Sequence, residues 1–314
     1  MLDEHELAIW YGRLGLSEPA QSLIRRIRSS APARRVGGGR SNVCGRYPSR
    51  KMGFTIQFES HRVELPAIYE MEHDSDLFEF YDQPPAIKLV CECADGKRRG
   101  FLHTPDFFVL RRDSAGWEEW KTEERLRQLS AHNPKRFVQE RNGWRSPPAE
   151  NYAREFGLVY RLRSSNEIDW VFQRNVLFLE DYFRADPRHV SSVARENVLA
   201  HVSTCPGMCV DQLATRCAAV TSVDDIYLLI ASDQVYVDLH VALLTQPDQV
   251  RVFASRELAQ HQPEAKQPNL THPDSAPHSI HPGSPVIWDG RDWQVANLGE
   301  KCASGWPGFH EPSY

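Results

Sequence analysis

Asp106, Glu119 and Lys121 are the residues whose types and spacing could do chemistry. They lie in Thr104-Pro105-Asp106-Phe107-Phe108 and in Trp117-Glu118-Glu119-Trp120-Lys121, separated by the turn signal Asp113-Ser114-Ala115-Gly116. Asp106 opens an apolar run that reads as a strand, and the turn returns the next strand beside it. Glu119 and Lys121 are two residues apart and therefore share a face of that strand, while Trp120 points to the core. Three charged groups on a wholly buried face would be costly without partners. Two carboxylates can hold a hard divalent cation, Mg²⁺ with Mn²⁺ as a substitute. Such an ion polarises a phosphate and acidifies an attacking water, and Lys121 can orient that water and offset transition-state charge. The expected chemistry is metal-assisted phosphodiester hydrolysis. The bare Pro-Asp…Glu-x-Lys motif also fits a strand with surface charges; the strand–turn–strand context with large aromatics on the opposite face favours a site.

The elements around this hairpin read as mixed α/β. Residues 5–28 show helical spacing broken at Pro19, and 29–53, rich in Arg, Gly, Ser and Pro, read as irregular. Phe54–Phe58 alternates like a strand, and Ser60 is a candidate cap for a helix running to Met71. Ile87–Cys93 and Arg98–Thr104 form strands around the hairpin signal Asp95-Gly96. A helix over Glu123–Leu129, an irregular loop from Asn133 to Pro148, a helix over 150–156, a strand over Leu158–Leu162 and a helix over Trp170–Phe183 follow. This order predicts a mixed sheet flanked by helices. Helices at 191–203, 208–218 and 222–232, then Gln234–Val237 as a short wing, outline a winged-helix-like domain.

Five regions result: a helical and basic arm over 1–53, the catalytic domain over 54–186, the winged-helix-like domain over 187–259, a Gln-, His-, Pro- and Ser-rich linker over 260–285, and a β-like tail over 286–314 around Trp288 and Trp293. The 314 residues carry a formal net charge of −5, which argues against wholesale binding of polyanions. The charge is uneven, however. From Pro19 to Phe58 there are nine Arg or Lys and no Asp or Glu. Arg34, Arg35, Arg40, Arg46, Arg50 and Lys51 of this arm are candidate phosphate contacts, with Gly37-Gly38-Gly39 giving it freedom to wrap a duplex; a solvated linker is the plainer alternative. The seven Cys are scattered without zinc-ligand spacing, so buried free thiols are expected. No apolar run is long enough for a membrane span and the acidic N-terminus is unlike a signal peptide, so a cytoplasmic, nucleoid-associated protein is expected.

From about Ser49 to Arg184 the chain resembles the TnsA endonuclease of heteromeric Tn-seven-like transposons, which has the PD-(D/E)xK, restriction-endonuclease-like fold. The motifs are ESHRVELPAIYEMEHDSDLFEFYDQP (59–84), HTPDFFVL (103–110), EEWK (118–121), and the later GLVYRLRSS and FQRNVLFLEDY. The resemblance implies a third metal-binding acid on the first helix and places it at Glu64, with Glu59, Glu70 and Glu72 as competitors. Pro66 then requires Glu64 to stand at the very start of that helix. His103, beside the motif, is either a structural hydrogen-bonder or an auxiliary to the chemistry. The family reading implies cleavage of 5′ strands at transposon ends, a TnsB-like transposase and a TnsC-like AAA+ regulator as partners, and DNA or partner docking by the winged-helix-like domain. VIWDGRDWQVANLGE (286–300) looks like the small β unit that opens TnsB-type transposases, consistent with a short appended element or the front of a TnsA–TnsB fusion. A stand-alone restriction-like or repair nuclease, and a catalytically silent DNA-binding assembly subunit, are the alternatives.

Overall fold

The computed structural model describes residues 1–37, 44–92 and 98–260, and the backbone of 285–288, 291–298 and 303–307. The chain divides into two compact units, 1–262 and 263–314. The N-terminal segment read as one broken helix is two, α1 (Glu4–Leu14) and α2 (Glu18–Ser29). Asp3 and Glu6 form a capping box at the start of α1, and Gly15 ends it in the left-handed conformation at φ 62°. Leu7, Trp10, Ile24 and Ile27 bury these helices against the body.

A buried ion pair fastens α2 to the sheet. The Arg28 Nε donates to Glu79 Oε2 at 2.9 Å, and the same carboxylate accepts from the Tyr81 hydroxyl at 2.5 Å and from the Leu2 amide at 2.7 Å. Breaking a buried pair strands the remaining charge and costs about 3–5 kcal/mol. Arg28→Ala is therefore expected to lower the thermal midpoint by several degrees, whereas the exposed neighbour Arg26→Ala stays within about 0.5 kcal/mol of the parent.

The stretch over 29–53, expected to be irregular, contains β1 (Gly45–Pro48), antiparallel to β2 (Thr55–Phe58). Four residues of Gly, Arg, Tyr and Pro carry too little alternation to announce a strand. Helix α3 (Glu64–His73) starts later than a Ser60 cap would place it: Ser60 to Val63 form a turn, and Ser60 O accepts from Leu65 N at 3.0 Å. Pro66 thus occupies the first turn, where no intrahelical donor is lost. The next strands are β3 (Leu77–Asp82), β4 (Ile87–Glu92) and β5 (Arg98–His103). The expected β4–β5 hairpin is present, but it pairs only with itself and does not extend the main sheet; its Asp95-Gly96 turn lies outside the described residues.

After β6 (Phe107–Arg111), β7 (Ala115–Lys121) and α4 (Glu123–His132), the loop expected over 133–148 instead holds β8 (Val138–Glu140) and β9 (Gly143–Arg145). Helix α5 (Pro147–Arg154), β10 (Val159–Ser164) and α6 (Trp170–Arg184) follow. The main sheet has the order β3-β6-β7-β10-β9-β8, antiparallel except for the parallel β7–β10 pair. This is the mixed α/β sheet flanked by helices of the restriction-endonuclease-like class. Gly116 sets the closeness of its central pair: a Cβ there would stand 1.8 Å from the Val159 carbonyl oxygen.

Helices α7 (Ser192–Thr204), α8 (Val210–Cys217) and α9 (Val223–Ala231), the strands β11 (Tyr236–Val237) and β12 (Val252–Phe253), and α10 (Arg256–Gln260) build a second core within the same unit. Ile226 to Ile230 of α9 are all buried, so this third helix packs inside rather than facing solvent. Helix α6 serves this core through Leu179 and packs Phe172 and Val176 against Tyr69 of α3. The Asn175 carboxamide donates to Leu239 O and Ala242 O and accepts from Leu244 N, at 2.7–2.9 Å. In the other unit, β13 (Pro285–Trp288), β14 (Arg291–Leu298) and β15 (Ala303–Pro307) form an antiparallel sheet. Among the described residues no helix is long and apolar enough to cross a membrane. Of the described free cysteines, Cys217 is buried and Cys44, Cys91, Cys205 and Cys209 are half-buried, so the expectation of buried thiols holds only for the first.

Candidate active site

Pairing of β6 with β7 sets Phe107 opposite Glu118, which brings Asp106 alongside Glu119 and Trp120. The Trp120 amide donates to Asp106 Oδ2 at 2.8 Å and fixes that carboxylate against β7. Asp106 and Glu119 are both buried, and the Lys121 ammonium is 2.5 Å from Glu119 Oε1. Glu64, the first residue of α3, is buried, accepts from the Glu59 amide at 2.8 Å through Oε2, and lies within electrostatic reach of Asp106 and Lys121. The structure therefore brings Glu64, Asp106, Glu119 and Lys121 together.

The electrostatics show how closely the four groups sense each other. Burial and the neighbouring Asp106 raise the Glu64 pKa to about 8. Burial also raises Asp106 to about 6, with Lys121 opposing and Glu119 reinforcing the shift. Burial would raise Glu119 too, but Lys121 and His103 outweigh it and hold this carboxyl below its ordinary value. Desolvation works against the Lys121 ammonium, yet Glu119 and Asp106 more than compensate and raise its pKa. Three acids crowd one amine, and two of them sit above their ordinary carboxylate range.

That imbalance is what a divalent cation would relieve. Glu64 Oε1 and Asp106 Oδ1 have no hydrogen-bond partner among the described residues, leaving hard oxygen donors of the kind Mg²⁺ or Mn²⁺ takes. As they stand, no three His, Cys, Asp or Glu side chains among the described residues converge closely enough to grip an ion. The Lys121 ammonium already neutralises Glu119, so an ion would enter on the Glu64 and Asp106 side and draw on Glu119 as well. The donor chemistry and the charge deficit fit the cation.

Two further residues enter the site. The Tyr160 hydroxyl of β10 donates to Glu119 Oε2 at 2.7 Å, and His103 at the end of β5 contacts the same oxygen through Nε2, 3.0 Å from the Tyr160 hydroxyl. The strand-end position of His103 flagged it in the sequence. Tyr160 carried no signal, because its placement depends on β10 lying parallel to β7.

The basic arm is divided in its roles. Arg34 reaches the site's margin, donating from Nε to Gln83 Oε1 at 2.5 Å and from Nη2 to Glu59 Oε2 at 3.0 Å. Arg35 and Arg46 are exposed, and Arg40 lies outside the described residues. Lys51 is committed elsewhere: its ammonium donates to the carbonyls of Asp74 at 2.5 Å and Leu77 at 2.8 Å, between α3 and β3. Arg50 is bound through its amide to Glu72 and through its guanidinium to the Phe183 carbonyl. These last two do not gather with Glu64, Asp106, Glu119 and Lys121.

The family model described as TnsA-like endonuclease N terminal matches residues 74–165. This segment contains His103, Asp106, Glu119, Lys121 and Tyr160; Glu64 precedes it. No curated protein matches the chain.

Proposed function

We propose, from the match of residues 74–165 to the TnsA-like endonuclease N-terminal family model, that the chain is a divalent-metal-dependent DNA endonuclease that cuts 5′ strands at transposon ends. The supporting observation is the cluster of three buried acids and one lysine at the junction of α3, β6 and β7. A bound Mg²⁺ would supply Lewis acidity to the phosphate and acidify the attacking water. Glu64 and Asp106, with Glu119, would hold it. Tyr160 and His103 keep Glu119 from rotating, the Trp120 amide does the same for Asp106, and Lys121 places positive charge where the pentavalent phosphorus gains negative charge.

In this reading a TnsB-like transposase cuts and joins the other strands and a TnsC-like AAA+ regulator couples both to the target. The buried α9 favours a protein-docking role for the helical core over insertion of that helix into a DNA groove. A cleavage assay on DNA carrying the element's own ends, with and without the adjacent transposase, tests the proposal. Mg²⁺-dependent 5′-strand cuts at those ends are expected. Cuts of equal efficiency in unrelated DNA without a partner would favour a stand-alone nuclease, and no metal-dependent cleavage in any mixture would leave only an assembly role.

A further inference from the structure

The β4–β5 ribbon has one face inside the protein and one outside. Ile87 and Leu89 are 3% and 1% exposed, and Phe101 packs beside them with the Arg136 guanidinium 4.5 Å above its ring. Strand alternation therefore turns Lys88, Val90, Arg98, Gly100 and Leu102 outward. All five are exposed, Leu102 at 74% and Val90 at 40%. Lys88 stands opposite Leu102, and its Cε lies 3.2 Å from where a Cβ on Gly100 would be, so the lysine stem runs flat across the ribbon. Among the described residues no third strand pairs with this ribbon. Its base is tied to the catalytic group, because the last residue of β5 is His103, which contacts Glu119.

We infer that the outer face of this ribbon is a DNA-contacting surface that seats the duplex flanking the scissile phosphate. The inference rests on the nuclease reading and adds to it the element that holds the substrate. A two-stranded ribbon has the width of the major groove. Lys88 and Arg98 offer cations at its two ends for phosphates on either side of a groove. Leu102 and Val90, too exposed for a monomer's core, supply apolar contact to sugars or thymine methyls between them. A protein partner would be served by the apolar pair, but two flanking cations beside a phosphodiesterase site match a polyanion better. The acid in the described ribbon is Glu92, paired in register with Arg98.

Salt-dependent binding of a fluorescent duplex oligonucleotide to the full chain in EDTA tests this. Lys88→Ala combined with Arg98→Ala should weaken binding at least about tenfold near 0.1 M salt and reduce the slope of log K against log salt by about two. Leu102→Ala should weaken binding without changing the slope. Backbone hydrogen exchange of the unaltered chain provides a second readout that no folding defect can blur: the duplex should slow exchange across 87–92 and 98–103. An unchanged slope with unprotected strands overturns the inference, as does protection that only another protein confers. Mg²⁺-dependent cleavage by the unaltered chain separates the two ideas. Cleavage with an unprotected ribbon refutes the ribbon alone; a duplex-protected ribbon without cleavage refutes the nuclease alone.

Discussion

Lys121→Ala is expected to reduce end cleavage by about 10²–10³-fold or more while duplex affinity in EDTA changes little. The ammonium is a fixed positive charge at the heart of the site, 2.5 Å from Glu119 Oε1 and within Coulombic reach of Asp106 and Glu64. Its loss also leaves buried carboxylates with less compensation, a change worth about 3–5 kcal/mol for a buried pair. The variant should therefore melt earlier than the parent in EDTA, and Mg²⁺ should recover more of its midpoint than it adds to the parent. Cleavage, melting and duplex affinity separate chemistry from folding. If affinity collapses together with cleavage, Lys121 is holding the protein together rather than acting on phosphate.

The second large effect concerns pH. Glu64 and Asp106 have folded pKa values of about 8 and about 6, above the ordinary values of 4.5 and 3.8. In the window between ordinary and folded values the native chain binds protons that the unfolded chain has released. Stability contributed by these two groups is thus fully present below about pH 4 and is lost as pH rises, through about 6 for Asp106 and about 8 for Glu64. The change is on the order of a few kcal/mol. Glu64→Gln removes the larger share, so in EDTA its melting advantage over the parent should be small at pH 5 and several degrees at pH 8.5. Since ion binding needs the ionised acids, added Mg²⁺ should close that gap at high pH and do little at low pH. A pH-independent gap would mean that residue 64 does not carry the proton. Comparing variant with parent matters because Glu70, raised by burial to about 7, titrates in the same range.

The two predictions lean on residues that were legible to different degrees. Asp106, Glu119 and Lys121 could be read directly, because a period of two and a four-residue turn leave few ways to fold that hairpin. Glu64 could not: a helix start twenty residues before the end of the matching segment has no local signature, and only the family resemblance placed it. Tyr160 was invisible because it meets Glu119 through a parallel register fixed by Gly116 and Val159. The β8–β9 pair was missed because three-residue strands show no period. Arg50 and Lys51 were read as free cations because the sequence lists charges, not the backbone carbonyls and carboxylates that claim them. The helical spacing of α7 to α9 was clear, whereas the burial of nearly every face of α9 depends on which helix it meets.

Helix α6 has a consequence for how this protein can be cut and recombined. Its Asn175 side chain holds a loop 64–69 residues downstream, while Phe172 packs against Tyr69 of the helix that begins at Glu64. A fragment ending shortly after α6 would leave that carboxamide and Leu179 facing water, and grafting the sheet domain onto a foreign helical domain would require the graft to reproduce the same stitches. Separating the two cores at α6 would therefore expose contacts that belong to both.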